Sequence, residues 1–246
     1  MAEGIFKQSS GLMAVALVGD CGIFSTEQLA GLVAAQKELG ITVFKLSSRQ
    51  TLLVVLPEEK VEALKAIALR LNLKLNNFGD AVRNVKACCG TSSLCQRMQG
   101  EATRMGVRLQ ERFMNQPAPK DFKISVAGCH RGCTDPLCAD FGVVATREDR
   151  YDIYLGGRGG SKRPRHGQEL VRGVAGADVE KVLQHVLETY RRLAQPGERL
   201  CLTIDRVGLE SFRPPETLIQ APGGKPEPAA GLADFLAFAD ESSNAK

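Results

Sequence analysis

The chain has 246 residues, of which 43% are hydrophobic and 24% charged, and its formal net charge at pH 7 is +4. This composition excludes a disordered chain, and the small positive charge is too weak to indicate a nucleic-acid-binding protein. The longest apolar run, 11–19, is far shorter than the about 20 residues of a membrane-spanning helix. Acidic residues on both sides of that run argue against a signal peptide. We therefore expect a cytoplasmic protein that binds neither nucleic acid nor membrane.

The first 76 residues alternate strand and helix signals in the order βαββα, which is the core of a ferredoxin-like sandwich. Ser25 and Gln28 form a capping box that opens the first helix, and Gly40 lies near its end. Pro57 opens the second helix, which runs to about residue 71. The predicted strands are 12–18, 41–46 and 51–56.

A second α+β domain is predicted for residues 77–220. Residues 221–246 are predicted to form a linker rich in Pro and Gly, followed by a tail with an apolar helix candidate at 232–238. The segment 156–167, GGRGGSKRPRHG, is incompatible with regular structure because Gly, Pro and like charges dominate it. The fold class is therefore α+β. The predicted helices of the second domain are 94–114, 178–194 and a short one after Pro196, and its strands are 122–127, 142–146 and 152–155.

Six of the eight cysteines lie between residues 88 and 138, and such clustering indicates a metal site. Five residues separate Cys89 from Cys95, and three separate Cys129 from Cys133. These two pairs supply four thiolates, which is the number of ligands that a 4Fe-4S cube needs. Zinc sites favour gaps of two to four residues, so the gap of five makes zinc the weaker alternative. Cys88, next to Cys89, is an alternative first ligand.

Many basic residues lie in predicted loops and strand ends near the cysteines rather than on helix faces. Guanidinium groups bind carboxylates and small oxyanions. The glycines of 156–160 provide a second means of binding anions, because their backbone N–H groups can form a nest. The basic residues in question are Arg49, Arg83, Lys120, Lys123, Arg131, Arg158, Lys162, Arg163 and Arg165.

Six motifs, in order along the chain, resemble those of the sulfite and nitrite reductase family that carries siroheme coupled to a 4Fe-4S cluster. The resemblance covers about residues 10 to 215. The motifs are SSRQT at 47–51, VRNVKACCG at 82–90, KISVAGCHRGC at 123–133, DFG at 140–142, GGRGG at 156–160 and GERLCLTIDRVGLESF at 197–212.

The resemblance implies roles for individual residues. The 4Fe-4S cluster would bind Cys89, or Cys88 in its place, together with Cys95, Cys129 and Cys133, and Cys133 would also bridge the cluster to the siroheme iron. The siroheme, with its eight carboxylates, would also contact Arg131, Gly156, Gly157 and Arg158. The oxyanion would be held by Arg49, Arg83, Lys120 and Lys123.

Several positions depart from the family pattern. The family's Lys-x-Lys reads Asp121-Phe122-Lys123 here, with Lys120 displaced by one position. His130 stands where the family often has Pro, and Cys138 has no recognised counterpart. Full-length members contain two copies of the module and this chain has one, like the small assimilatory-type sulfite reductases. We therefore expect a homodimer or a hetero-oligomer.

The predicted function is the six-electron reduction of sulfite to sulfide, with nitrite as the other candidate substrate. Electrons would come from a ferredoxin or a reductase subunit, because no dinucleotide-binding fingerprint follows a strand. The alternative is an electron-transfer or assembly subunit that binds a cluster and has lost siroheme.

Overall fold

The computed structural model describes residues 3–147 and 149–219, so the predicted linker and tail at 221–246 lie outside the described residues. The chain divides into two compact units, Met1–Gly79 and Asp80–Lys246. The sequence places this boundary after residue 76. Helices and sheets are mixed in the described residues, which confirms the predicted α+β class.

The first unit is an antiparallel sheet with helices packed on one face. Its strands follow the order β1-β2-β4-β3, and β5 also pairs with β2. Val15, Leu17 and Val54 point from the sheet into a core that Leu32 and Leu64 complete from the helices. The elements are β1 (Ile5–Lys7), β2 (Met13–Val18), α1 (Thr26–Ala34), α2 (Gln36–Leu39), β3 (Val43–Leu46), β4 (Leu52–Leu56), α3 (Val61–Arg70) and β5 (Lys74–Leu75).

The predicted cap of the first helix is confirmed, and its predicted length is not. The N–H of Gln28 donates to Ser25 Oγ, and the N–H of Ser25 donates to Gln28 Oε1. The helix breaks at Ala35 into α1 and α2, and Gly40 ends α2 in the left-handed conformation at φ +63°. Pro57 precedes a short 3-10 turn, so α3 begins only at Val61.

The second unit is a five-stranded sheet in the order β10-β9-β8-β7-β6. Strands β6, β7 and β8 run parallel, while β9 and β10 are antiparallel to their neighbours. No described helix in either unit is long and apolar enough to cross a membrane. The elements are β6 (Lys86–Ala87), α4 (Ala102–Phe113), β7 (Ile124–Ala127), β8 (Phe141–Arg147), β9 (Arg150–Leu155), β10 (Gln168–Ala175), α5 (Gly176–Leu193) and α6 (Leu200–Val207).

One predicted boundary in this unit is wrong, and one strand was not predicted. The helix predicted from residue 94 begins at Ala102, because the N–H groups of Gln99 and Gly100 donate to the Gly128 carbonyl and hold residues 91–100 in turns. Strand β10 was not predicted, because two register shifts interrupt its alternation of buried and exposed residues.

Candidate cofactor site

The sheet of the second unit brings the two cysteine loops to one edge. Strands β6 and β7 are parallel neighbours in which Ala87 lies opposite Val126. The chain therefore leaves both strands at the same edge, entering the loop 88–101 after β6 and the loop 128–140 after β7. These loops carry all of the cysteines that were predicted as cluster ligands.

Hydrogen bonds hold the two loops together. The Cys88 N–H donates to the Val126 carbonyl at 3.1 Å, and the Gly128 N–H donates to Cys88 Sγ at 3.1 Å. The Gly128 carbonyl accepts from Gln99 at 2.7 Å and from Gly100 at 3.2 Å. The loops are thus joined on both sides of Gly128.

The loops approach each other so closely that a Cβ on Gly90 or Gly128 would displace its neighbours. A Cβ at Gly128 would lie 3.0 Å from the Gly100 carbonyl oxygen and 3.3 Å from Gly90 Cα. A Cβ at Gly90 would lie 3.2 Å from both Cys88 Sγ and Gly128 Cα. The Gly90 carbonyl in turn accepts the N–H of Ala102, which begins α4. Gly90 and Gly128 therefore set the distance between the cysteine pairs.

All eight cysteines lie in the described residues and are free thiols. Cys89 and Cys133 are exposed, whereas Cys95 and Cys129 are half-buried. Burial raises the pKa of the Cys88 thiol, an effect that the Gly128 N–H opposes. Both candidates for the first ligand thus remain at the site, in different environments.

The donor set fits a 4Fe-4S cluster. Among residues 3–147 and 149–219, no three Cys, His, Asp or Glu side chains converge as they would around a single metal ion. A cube binds each thiolate to a different iron, so its four ligands surround a volume rather than a point. Reduced cysteines in two joined loops at one sheet edge meet that requirement.

Three of the predicted anion-binding cations lie at the opposite edge of this sheet. Arg83 precedes β6, and Lys120 and Lys123 precede β7. Arg83 is only 6% exposed, and its Nη1 donates to Asp121 Oδ2 at 3.3 Å. Burial lowers the pKa of the Arg83 guanidinium, and the negative charge of Asp121 opposes that effect. Lys120 is 3.6 Å from Asp80 Oδ1. The structure therefore groups these cations with each other and not with the cysteines.

A buried ion pair that was not predicted stabilises the same edge. Asp140 Oδ2 accepts the backbone N–H of Lys123 at 2.9 Å and Arg199 Nη2 at 2.9 Å. Burial raises the pKa of the Asp140 carboxyl, while Arg199 and the Lys123 N–H oppose the increase. The one signal for Arg199 in the sequence is its place in the motif 197–212.

The glycine-rich loop packs against the chain instead of presenting a row of free N–H groups. The N–H groups of Gly156 and Arg158 each donate to a backbone carbonyl at 2.9 Å. A Cβ at Gly157 would lie 2.2 Å from the Leu137 carbonyl oxygen, so only glycine permits this packing. The Arg158 side chain is different, because its Nε is buried and has no hydrogen-bond partner among the described residues.

A cavity of about 240 Å³ lies beside the loop that follows β7. Arg131 lines it together with two imidazoles, His130 and His166, and with Cys138 and Tyr154. The Arg131 guanidinium and the imidazole N–H groups can donate to carboxylates such as those of siroheme, whereas the Asp135 carboxylate, which also lines the cavity, repels them. The chemistry of Arg131 and Arg158 therefore fits the predicted macrocycle, and His166 is a lining residue that the sequence did not indicate.

Arg49 lies in the first unit, at the bend between β3 and β4. Ser47 Oγ accepts the N–H of Arg49 and that of Thr51, both at 3.2 Å, and so fixes the bend. The Arg49 residue is half-buried. Its role beside the cations of the second unit stays a prediction.

Comparison with known proteins identifies a family and several relatives. Residues 78–215 match the family model described as the nitrite and sulphite reductase 4Fe-4S domain. The nitrite reductase [NAD(P)H] of Emericella nidulans is 36% identical over 122 residues, which are 50% of this chain and 11% of that protein. The sulfite reductase [NADPH] hemoprotein beta-component of Methylobacterium nodulans is 27% identical over 171 residues, which are 67% of this chain and 28% of that protein. The chain thus spans about a tenth to a quarter of the length of these relatives.

The fold is similar to that of a solved structure. The crystal structure of dissimilatory sulfite reductase I (DsrI) superimposes with a TM-score of 0.73 over 87% of this chain and 72% of that chain, at 16% sequence identity. At that identity the likeness concerns the fold alone.

Proposed function

The chain belongs to the nitrite and sulphite reductase 4Fe-4S domain family, and we propose from this membership that it is a siroheme-dependent reductase that converts sulfite to sulfide, with nitrite to ammonia as the second candidate reaction. The observation that carries the proposal is the pair of joined cysteine loops at the carboxyl ends of β6 and β7.

Cys89, Cys95, Cys129 and Cys133 are the proposed ligands of the 4Fe-4S cluster, with Cys88 as the alternative to Cys89. Their two loops are fixed by backbone contacts that do not depend on the thiols, apart from the bond to Cys88 Sγ. The positions of the ligands are therefore largely set by the fold, which lowers the entropic cost of binding the cluster.

Cys133, Arg131 and Arg158 are the proposed contacts of siroheme, with Gly156 and Gly157 placing the loop that carries Arg158. When bound, the cluster and siroheme supply the single electrons and the iron on which a six-electron reduction depends. Cys133 is exposed, so its thiolate is accessible as a bridge. Arg131 is also exposed, and the buried Nε of Arg158 gains a partner if a carboxylate of the macrocycle reaches it.

Arg49, Arg83, Lys120 and Lys123 are the proposed anion-binding residues. Positive charge lowers the free energy of an oxyanion and of the negative charge that develops as its oxygens leave. The ammonium groups of Lys120 and Lys123 are also able to donate protons to those oxygens. Arg83, which is buried against Asp121, acts as a fixed charge.

Sulfite and nitrite are both small oxyanions that the same cations bind, so the choice of sulfite over nitrite is part of the proposal. A ferredoxin or a reductase subunit is the proposed electron donor, and the cytoplasmic location stays a prediction. The family relatives are themselves named as nitrite and sulfite reductases.

One observation favours the second candidate, a subunit that binds a cluster without siroheme. Arg83 is paired with Asp121, and Lys120 with Asp80, so part of the positive charge is already neutralised. In a cluster-only protein these pairs would serve stability alone.

Turnover separates the two candidates. Protein made in a host that synthesises siroheme would be assayed anaerobically with reduced methyl viologen, and sulfide and ammonia would be measured separately. We expect sulfide release, a strong loss in Lys123→Ala, and no change in the control Lys162→Ala, whose side chain is exposed in the loop after β9. Absence of both products from protein that contains a cluster would support the cluster-only subunit.

A further inference from the structure

Arg49 lies on a bend whose last residue has an unusual backbone conformation. The Ser47 N–H donates to the Thr51 carbonyl at 2.9 Å, which closes a loop of three residues between β3 and β4. The third residue of such a loop has a positive φ and is usually glycine. Here that residue is Gln50, at φ +59°. Because the left-handed region is unfavourable for a residue with a side chain, glycine would form this bend more readily than glutamine does.

The Gln50 side chain packs against a second tight turn, at 20–23, which follows β2. The N–H groups of the first and last residues of this turn each donate to the carbonyl of the other, at 3.1 and 3.0 Å. The central residues, Cys21 and Gly22, have φ of +52° and +86°. Positive φ at both central positions is typical of a type I′ turn. Only 3% of Cys21 is exposed, so the turn is anchored in the first unit.

The register of the sheet brings the turn and the bend together. Leu17 of β2 lies opposite Leu52 of β4, so the end of β2 and the start of β4 are at the same edge. A Cβ at Gly22 would lie 2.7 Å from Gln50 Cβ and 3.2 Å from Gln50 Cγ. The backbone of the turn thus lies directly against the first two carbons of the Gln50 side chain.

This contact restrains Arg49 through the backbone. The Cβ of Gln50 is fixed relative to its own Cα, so the turn restrains the backbone of the bend and not only a side chain. Arg49 shares a peptide bond with Gln50. On its other side, the Arg49 N–H donates to Ser47 Oγ at 3.2 Å. The chain is therefore held on both sides of the residue that carries the guanidinium.

We propose that Gln50 and Gly22 are positioning residues for Arg49, and that their contact fixes its guanidinium where the oxyanion binds. The inference rests on the proposed function and deepens it, because it assigns the orientation of one anion-binding residue to two residues that act through it. Local rules of sequence are broken most often at functional sites, and a glutamine in place of the usual glycine is such a break. A displacement of about 1 Å is enough to cost about a hundredfold in rate.

Gln50→Gly tests the proposal by removing the side chain from a backbone that glycine forms without strain. The full chain would be made in a host that synthesises siroheme, and turnover would be followed anaerobically with reduced methyl viologen at varied sulfite. We expect the KM for sulfite to rise about tenfold with a smaller change in kcat. The urea midpoint should stay at the wild-type value or above it. A lower midpoint with an unchanged KM would show a contact that serves stability alone and would overturn the proposal.

Gly22→Ala leaves Gln50 in place and displaces it. The new Cβ would lie 2.7 Å from Gln50 Cβ, whereas ordinary contacts begin at 3.4 Å, so the bend must move. Gly11→Ala is the matched control, because Gly11 also has φ +86° and a Cβ there has no atom within 4 Å in the part of the chain that the structure describes. The two variants have the same backbone strain, so only Gly22→Ala should raise KM. Equal values of KM in both would contradict the proposal.

The Arg49→Ala background shows whether Gln50 acts through Arg49. In that background Gln50→Gly should leave KM unchanged, since no guanidinium is left to position. An increase in KM that is equally large with and without Arg49 would overturn the proposal. A loss of tetrapyrrole from Gln50→Gly at unchanged KM would also overturn it, because Arg49 would then serve the macrocycle and not the anion.

Hydrogen exchange tests the contact without turnover. Peptides that cover 47–51 would be followed by mass spectrometry in the full-length wild type and Gln50→Gly, with peptides of α3 as the internal control. After correction for the intrinsic rate of glycine, we expect about tenfold faster exchange at 47–51 and no change in α3. Equal exchange in both proteins would refute the restraint on the bend. Faster exchange in a variant whose wild type reduces neither sulfite nor nitrite would instead refute the proposed function and leave the restraint standing.

Discussion

Gly128→Ala tests whether the contact between the cysteine loops determines cluster binding. Alanine adds a Cβ that would lie 3.0 Å from the Gly100 carbonyl oxygen and 3.3 Å from Gly90 Cα. Both neighbours are backbone atoms, so they move only if the loops separate. The φ of Gly128 is not in the left-handed region, so the effect is steric and not conformational.

Crowding of this kind in a closely packed region costs about 1–3 kcal/mol of unfolding free energy. Because the same displacement separates the two pairs of thiolates, iron and acid-labile sulfide per chain should fall together with stability. Both would be measured after anaerobic reconstitution, with unfolding followed in urea.

Gly160→Ala is the matched control, because a Cβ at Gly160 has no atom within 4 Å among the described residues. That variant should keep its iron and gain at most about 1 kcal/mol through the unfolded state. If Gly128→Ala retains the iron content and stability of Gly160→Ala, loop contact does not set the cluster site.

Three further outcomes are expected. Cys89→Ser should lose iron while Cys88→Ser keeps it, because the Cys89 thiol is exposed and the Cys88 thiol is held by a backbone N–H; the reverse pattern would make Cys88 the ligand. Asp140→Asn should destabilise the chain by about 3–5 kcal/mol in urea, since it leaves the Arg199 charge buried without its partner, and a loss under 1 kcal/mol would contradict this. Glu198→Gln should cost about 2 kcal/mol at pH 7. Hydrogen bonding to an arginine lowers the pKa of Glu198 from 4.5 to about 2, so this carboxylate stabilises the fold above pH 4.5 and its contribution disappears as the pH falls towards 2. The two proteins should therefore become equally stable near pH 2, and a constant difference would refute the assignment.

Features that depend on local chemistry were predicted well from the sequence. The capping box of Ser25 and Gln28 forms as expected, because its two hydrogen bonds join residues three positions apart. Gly40 ends a helix because its positive φ is accessible to glycine. The predicted hairpin is present as β3 and β4.

Features that depend on distant pairing were missed. Strands β5 and β6 have two residues each, and they exist because they pair with strands far along the chain. The turn segment before α4 follows from its bonds to Gly128, 28 residues after Gly100. Helical periodicity contains no information about such contacts.

The candidate site shows the same division. The spacing of the cysteines identified the two loops, but their contact depends on β6 pairing with β7. The basic residues were grouped with the cysteines because both are near in sequence. In the fold, β7 lies between Lys123 and Cys129. The two residues are therefore at opposite edges of the sheet although they are only six positions apart in the sequence.

The most direct test of the proposed function is the cofactor content of protein purified anaerobically from a host that synthesises siroheme. Iron per chain, the visible spectrum and the pigment extracted by acid-acetone would be determined on one sample. The proposal predicts about five irons per chain, four in the cube and one in the macrocycle, and an extractable tetrapyrrole. Four irons without a tetrapyrrole would contradict a siroheme reductase and favour the cluster-only subunit, and a protein without iron would contradict both.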